Sequence, residues 1–270
     1  GAGGVLRDIQ AQHGAVQLNE LVRFADPAEG AASLALRAGD PEALGFYLDN
    51  HRVHVGDLGT CADQVFGSWL VARQTGADAL MVAPTRTLVA ELNSRAQAHL
   101  RDGVQPTRAV ALADGSHAAV GDVIITRQND RRLRTTGTDW VRNGDRWQIS
   151  NVRGDGSITI RPHGRRFGGA IILPAGYVSE FLDLGYAVTA HRAQGVTTDT
   201  AHTVVTATTT RENFYVAMTR GREANHAYVA IDRPDDDHSH TNPGDDPDAT
   251  ARSVLFGVLQ HVGAELSAHQ

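Results

Sequence analysis

The sequence contains no lysine, and all 25 of its basic residues are arginine. A phosphate-binding loop of the type G-x-x-x-x-G-K-[ST] needs its lysine on the β- and γ-phosphates of a nucleoside triphosphate. The chain therefore supplies no such loop, and in nucleotide hydrolysis it could contribute only half of the nucleotide-binding site. A genome that favours arginine codons would not normally replace that catalytic lysine.

Cysteine and long apolar runs are also scarce. The single cysteine, Cys61, permits no internal disulfide, which favours a reducing cytoplasm. No apolar run approaches membrane-spanning length and no signal peptide opens the chain, so we expect a cytoplasmic protein without a membrane partner. The 270 residues, 41% of them hydrophobic, are enough for one large domain or two small ones.

The charge is unevenly distributed, although a net charge of −6 argues weakly against nucleic acid as a partner. Residues 127–166 hold ten arginines and four aspartates, whereas residues 231–250 hold seven aspartates and one arginine. The average therefore hides a basic patch and an acidic loop. Disorder is the simplest interpretation of loop 234–248, and its His-Ser-His sequence predicts no metal site because no second ligand cluster accompanies it.

Two short blocks are the most specific features of the sequence. Thr-Ala-His-Arg-Ala-Gln-Gly at 189–195 follows a short buried strand, and Val-Ala-Met-Thr-Arg-Gly-Arg at 216–222 ends a helix. Ligands of open α/β sheets bind outside the carboxyl ends of the strands, and arginine there offers a planar, permanently charged group suited to phosphate. The simpler alternative is a strand end and a helix C-cap.

These blocks resemble motifs V and VI of superfamily 1 DNA helicases. The resemblance is closest to the RecD-like group, which includes the helicase half of TraI/TrwC-type (MobF) conjugative relaxases. It implies that Thr189, His191 and Gln194 hold the backbone of single-stranded DNA and sense closure of the motor.

The resemblance also implies a nucleotide side. Arg220 of the second block would reach the γ-phosphate of ATP, and Arg23, in a string at 18–24 that resembles motif IV, would be its companion. Both would be catalytic, as arginine fingers. Gly195 and Thr197 would lie beside the nucleotide, although the family usually has Glu where this chain has Thr197. A surface arginine on a loop is the alternative for Arg23.

Upstream of these blocks, strands and helices alternate. The strand at 79–83 and the helix at 87–100 belong to a β-α-β-α pattern that predicts a mostly parallel sheet with helices on both sides. The resemblance makes this α/β fold RecA-like, of the P-loop NTPase type. It places Thr85, Arg86 and Asn93 on the DNA side, whereas helix capping by Thr85 and a solvated helix face are the alternative.

Residues 121–173 contain short strands at close spacing without helices, which predicts a small antiparallel barrel. The RecD-like family carries an inserted SH3-like barrel, called 2B, at this place. The basic patch lies in and around it and predicts a track for a single strand with aromatic stacking surfaces. Its members are Arg131, Arg132, Arg134, Arg142, Arg165 and Arg166, with Trp140 and Trp147 nearby. The alternative is a solvated surface with the tryptophans in the barrel core.

The leading hypothesis is the second motor domain of an ATP-dependent 5′→3′ DNA helicase. Residues 1–120 and 174–270 would form RecA-like domain 2A, and residues 121–173 the barrel. Expected partners are single-stranded DNA and the missing first RecA-like domain of the same polypeptide. ATP and Mg²⁺ would act in the full-length protein, whereas the fragment alone is expected to be monomeric, inactive and without bound cofactor. The alternatives are a stand-alone single-stranded nucleic-acid binding module and a scaffold that binds proteins through the acidic loop.

Overall fold

A computed structural model describes residues 23–134, 140–164, 168–231 and 247–263. The helices of this part of the chain are α1 (Pro27–Ala38), α2 (Ala43–Asp49), α3 (Leu58–Gln74), α4 (Arg86–Arg101), α5 (Ala175–Phe181), α6 (Ala190–Ala193), α7 (Arg211–Ala217) and α8 (Pro247–Gln260). The acidic loop lies mostly outside the described residues.

The strands of the described residues follow one another along the chain as β1 to β14. They are β1 (Val53–Gly56), β2 (Ala79–Ala83), β3 (Ala109–Ala111), β4 (His117–Ala119), β5 (Val123–Thr126), β6 (Asp130–Arg134), β7 (Trp140–Val141), β8 (Arg146–Val152), β9 (Ile158–Pro162), β10 (Ile171–Leu173), β11 (Leu182–Leu184), β12 (Ala187–Thr189), β13 (Thr198–Val205) and β14 (Gly221–Ala230).

The main sheet has five parallel strands in the order β1-β14-β13-β2-β12. Trp69 of α3 and Leu92 of α4 pack with Met81 of β2 in one core cluster. Phe214 of α7 packs with Val229 of β14 in a second cluster, together with α1 and α8. The predicted parallel sheet with helices on both sides is therefore confirmed.

The second sheet is antiparallel, with the strand order β10-β9-β8-β5-β11. The sequence pattern at 174–182 predicts a short helix that returns directly to the main sheet, but residues 182–184 form strand β11 of the antiparallel sheet. All three are buried and pair with β5, because leucine on both sides of Asp183 favours a buried strand over a helix end. The division of the chain at 121 and 173 stays a prediction.

The two sheets meet at the link between β11 and β12. A side chain on Gly185 would come within 2.9 Å of the Ile124 backbone, so this close approach requires glycine. The next residue, Tyr186, is fully buried, and its hydroxyl donates to Asp122 at 2.9 Å and accepts from Val123 N at 3.1 Å. This contact fixes the barrel sheet against the amino end of strand β12.

No helix in the part of the chain that the structure describes has the length and apolar character to cross a membrane.

Candidate nucleic-acid interface

The carboxyl ends of β2 and β12 bring several predicted DNA-binding residues together. Ala83 at the end of β2 pairs with Thr189 at the end of β12. Thr85 follows β2 and caps α4, accepting a hydrogen bond from Leu88 N at 3.2 Å. Short helix α6 begins directly after Thr189 and presents the exposed His191. The capping alternative for Thr85 is thus confirmed, whereas its contact with DNA stays a prediction.

Arg86, His191 and Gln194 line a hollow of about 500 Å³ between the main sheet and strand β5. Arg127 and Arg192 line it as well, and none of its described lining residues is acidic. We call this hollow the basic groove. It brings three guanidinium groups to the edge of a parallel sheet where ligands usually bind, and such a concentration of positive charge is suited to phosphates.

Asp183 of β11 holds two of these arginines in place. Its carboxylate accepts from Arg127 at 3.3 Å and forms an ion pair with Arg192. Burial lowers the pKa of Arg192, and the positive charges of Arg127 and Arg86 lower it further. The three guanidinium groups therefore repel each other, and the carboxylates of Asp183 and Asp114 offset that repulsion only in part, which favours an added anion.

Arg127, Arg192 and Asp183 were not predicted as site residues. Arg192 lies inside the block 189–195, between two predicted contacts, and Arg127 directly follows strand β5. The unrecognised strand β11 is the reason that Asp183 was missed. A polar residue flanked by leucines in a short apolar segment was the available signal.

Asn93 lies below this surface and is only 4% exposed. Its side-chain amide donates to Ala187 O at 2.9 Å, and its oxygen accepts from Tyr186 N at 3.1 Å and Ala187 N at 2.8 Å. These bonds give partners to the backbone groups at the start of β12 and join this strand to α4. The structure gives Asn93 a structural role, and its contact with DNA stays a prediction.

The predicted basic track lies on the hairpin of β6 and β7. Arg131, Arg132 and Arg134 are exposed, and Arg132 pairs with Asp130 at 2.9 Å. The guanidinium of Arg131 lies 5.4 Å from the centre of the Trp140 ring. This hairpin thus combines cationic groups with one half-buried aromatic ring.

The remaining members of the predicted track differ in their surroundings. Trp147 is 3% exposed and belongs to the core, as the alternative expected. Arg142 stacks on Trp140 at 5.1 Å. Arg165 and Arg166 lie outside the described residues.

Arg220 is 6% exposed at the end of α7. Its Nε donates to Val216 O at 2.6 Å, its Nη1 to Ala193 O and Val196 O at 3.2 Å, and its Nη2 to Thr219 Oγ1 at 2.6 Å. The side chain therefore joins the end of α7 to the loop that follows α6. That loop carries Gln194 of the basic groove.

Arg23 lies beside Arg220, although 197 positions separate them in the sequence. Its Nη1 donates to Thr219 O at 2.6 Å and the side chain is half-buried. Burial lowers the pKa of Arg220 to about 10, with the charge of Arg23 as the second cause. The two predicted arginine fingers thus converge, but Arg220 points into the protein rather than into an open cleft.

Gly195 and Thr197 lie in the loop that Arg220 holds. Both are exposed, and Gly195 has φ +89°, a conformation that favours glycine. They line a small hollow of about 180 Å³ together with Arg146 and His163 of the barrel sheet. Gly195 and Thr197 therefore lie in one loop at the amino edge of the main sheet. Arg220 holds that loop, and Arg23 lies beside Arg220.

Two family models match the chain. The model described as "AAA domain" matches residues 1–58, and the model described as "Rv2311 SH3-like barrel domain" matches residues 110–180. The second match confirms the predicted SH3-like barrel. With the parallel sheet, it confirms the predicted α/β fold class.

Similar proteins share parts of the chain. Conjugal transfer protein TraA of Agrobacterium fabrum is 29% identical over 233 residues, which are 82% of this chain and 20% of that protein. Uncharacterized protein Rv2311 of Mycobacterium tuberculosis is 42% identical over 93 residues, 34% of this chain and 52% of that protein. The chain thus spans about half the length of the mycobacterial relative and a smaller part of TraA.

Solved structures of Pif1 helicases are also similar. A Bacteroides Pif1 in complex with ADP-AlF3 and ssDNA has a TM-score of 0.47 at 15% identity, covering 78% of this chain and 51% of that one. Pif1 from Candida albicans has a TM-score of 0.45 at 14% identity, covering 77% of this chain and 55% of that one.

The similarity to TraA extends over most of this chain, whereas membership of superfamily 1 stays a prediction. The assignment to the RecD-like, relaxase-linked group stays a prediction.

Proposed function

We propose that this chain is the second motor domain of a RecD-like DNA helicase of the conjugative relaxase type. The basic groove is the observation that carries the proposal. It lies at the carboxyl edge of the parallel sheet and is bordered by the block 189–195, whose sequence resembles a DNA-contacting motif. The similarity to a conjugal transfer protein over most of this chain supports the same function.

In this proposal the groove binds the sugar-phosphate backbone of single-stranded DNA. Arg86 and Arg127 would bind phosphates directly, since both are exposed. Arg192 would exchange its partner Asp183 for a phosphate, which relieves the crowding of positive charge. His191, Gln194 and the hydroxyls of Thr85 and Thr189 would add neutral contacts to the backbone.

Arg220 would couple this DNA site to the nucleotide. Its hydrogen bonds to the carbonyls of Ala193 and Val196 hold the end of helix α6, which carries His191, and the loop that carries Gln194. If the guanidinium turned outward toward a γ-phosphate, the loop would lose those bonds and shift. Arg23 is the more accessible of the pair and would meet the phosphate first.

The fit of ATP and Mg²⁺ to these residues is partial. Two guanidinium groups offer positive charge, but the chain has no lysine for a phosphate-binding loop. ATP hydrolysis would supply the free energy for translocation, with the phosphate-binding loop coming from the first motor domain. Thr197 offers a hydroxyl where the family has a carboxylate, so its hold on the ribose would be weaker.

Binding of a fluorescent oligo-dT, followed by anisotropy over a range of salt concentrations, tests the groove. The Arg86→Ala/Arg127→Ala variant should bind more weakly, with the salt slope reduced by about 0.7 for each lost contact. Arg95→Ala is the matched control, since Arg95 lies on the same helix but pairs with Asp63 at 2.8 Å. Equal losses in both variants would refute the groove as the DNA site.

The second candidate function is a stand-alone module that binds single strands through the barrel. Arg131 beside the half-buried Trp140 favours it, because cations next to aromatic rings are typical of single-strand binders. A variant with Arg131, Arg132 and Arg134 all changed to Ala would then lose DNA binding. In the motor proposal this variant keeps the groove and loses only part of its affinity.

A further inference from the structure

A second hollow adjoins the basic groove at the carboxyl edge of the main sheet. It has a volume of about 430 Å³ and lies between the ends of β2 and β13, the start of α3 and the loop before α7. We call it the threonine pocket. Its lining includes Leu58, Val82, Pro84, Thr203, Thr206 and Asn213. The volume falls within the range of about 300–1,000 Å³ that ligand pockets have.

Thr203 carries a hydroxyl without a partner. The residue is 3% exposed, and among the described residues its Oγ1 makes no hydrogen bond. By contrast, the threonines of the rim bond one another, with Thr206 Oγ1 lying 3.0 Å from Thr208 Oγ1 and 3.3 Å from Thr209 Oγ1. Buried hydroxyls are rarely left without a partner, so the free Oγ1 at this pocket indicates a ligand that completes it.

The lining determines the chemistry of that ligand. None of the described lining residues is Arg, Asp or Glu, and the walls are largely aliphatic. A phosphate would lose its hydration here without gaining a counter-charge, which is costly. Leu58, 46% exposed at the mouth, offers an apolar surface on which a flat ring can lie. A neutral, flat group with hydrogen-bonding edges satisfies both the aliphatic walls and the Thr203 hydroxyl.

The pocket and the basic groove share a wall. His191 lines both, and Thr189 and Thr85 border the pocket at the strand ends. A DNA strand whose phosphates lie on Arg86 and Arg192 would therefore carry one of its bases past the pocket mouth. We propose that the threonine pocket binds a single nucleobase turned out of the bound strand, with Thr203 Oγ1 hydrogen-bonded to the base edge. This inference rests on the proposed DNA-binding function.

Scanning with base-free sites tests it. In a set of oligonucleotides that each lack one base, the oligonucleotide without the critical base should bind the wild-type chain about tenfold more weakly than the others. Thr203→Val keeps the side-chain shape and removes the hydroxyl. It should weaken binding of the intact oligonucleotide about fivefold and reduce the penalty at that position. Thr203→Ser should retain most of the affinity.

Stability measurements separate a binding role from a structural one. Because the hydroxyl has no partner in the folded chain, Thr203→Val should leave the free energy of unfolding unchanged or raised. If that variant fails to fold, Leu58→Ala provides the second test, and Val71→Ala, 61% exposed on the same helix, is its control. Leu58→Ala should weaken binding of the intact strand and spare binding of the strand that lacks the critical base.

The outcomes are distinguishable. If the wild-type chain binds oligonucleotides through the basic groove but every base-free position is equivalent, the pocket inference is refuted while the DNA-binding function stands. If no oligonucleotide binds at low salt, the proposed function fails and the pocket inference with it. An effect of Thr203→Val on stability alone would also overturn the inference.

Discussion

At the scale of single residues, three histidines form a row across neighbouring parallel strands. His54 of β1, His226 of β14 and His202 of β13 follow one another, with ring centres 5.5 and 5.4 Å apart. Arg52 Nη1 lies 3.0 Å from His226 Nε2, which adds a fixed positive charge. The rings can pack this closely only while they are neutral.

Burial is the first cause of the low pKa values in this row. It lowers the pKa of His202 to about 3, followed by the influence of His226 and His54. It lowers the pKa of His226 to about 4, followed by the charge of Arg52 and by His54. The unfolded chain takes up protons near pH 6.5, so below about this pH the unfolded state binds more protons than the folded state.

We therefore expect stability to fall as the pH decreases from about 6.5 to about 4, by at most about 1.4 kcal/mol per pH unit for each histidine. Urea unfolding at several pH values measures this slope. His226→Gln should flatten it. Glu29 acts in the opposite direction, since burial raises its pKa against the effect of its bond from Asn225, and it favours the folded state as pH falls. A stability independent of pH in this window would contradict the expectation.

At the scale of elements, an ion pair joins the barrel sheet to the main sheet. Arg146 of β8 contacts Asp78, which precedes β2, with Nη1 and Oδ1 2.7 Å apart, and His163 Nε2 lies 3.2 Å from the same oxygen. The other nitrogens of Arg146 donate to Gly185 O at 3.1 Å and Ala79 O at 3.3 Å. Burial raises the pKa of Asp78, but Arg146 and His163 outweigh it, so the net pKa is lowered.

Asp78→Ala should lower the free energy of unfolding by about 3–5 kcal/mol, because it leaves the buried Arg146 without its counter-charge. Hydrogen exchange of the β8 and β9 amides should accelerate as well, since the barrel loses its attachment. Asp63→Ala is the matched control: Asp63 is 72% exposed and pairs with Arg95, and its loss should cost at most about 1 kcal/mol. Equal losses of stability in the two variants would show that the Arg146–Asp78 pair does not attach the barrel sheet to the main sheet.

At the scale of the whole molecule, local patterns account for most of the fold. The run Ala79–Ala83 is apolar at every position and forms the buried central strand β2. Thr85 and Asp57 are preferred capping residues and begin helices α4 and α3. Alternating strands and helices were therefore sufficient to predict a parallel sheet, because each local preference agrees with the global arrangement.

The site was less predictable because its chemistry depends on contacts between distant segments. The basic groove needs Arg127, which follows β5, beside Arg192 of helix α6, and strand β11 brings Asp183 between them. The side-chain oxygen of Asn93 accepts a hydrogen bond from the backbone of Tyr186, 93 positions further on, a role that no local pattern reveals. The convergence of Arg23 and Arg220 was predictable only through the resemblance to a motor domain.

That convergence leads to the last prediction, on the complete motor. Without a lysine the purified chain should turn over no ATP, whereas a full-length parent that carries a phosphate-binding loop should.

Arg23→Ala in the parent should lower ATP turnover by about 10³–10⁵-fold while preserving DNA binding, since Arg23 lies away from the groove. Arg222→Ala is the matched control, because Arg222 already pairs with Asp199 on the exposed surface. Arg220→Ala should additionally weaken DNA binding, because it removes the bonds to Ala193 and Val196 that hold the loop proposed to contact DNA. ATP turnover by the isolated chain, or equal effects of Arg23→Ala and Arg222→Ala, would refute the proposed division of the site between two domains.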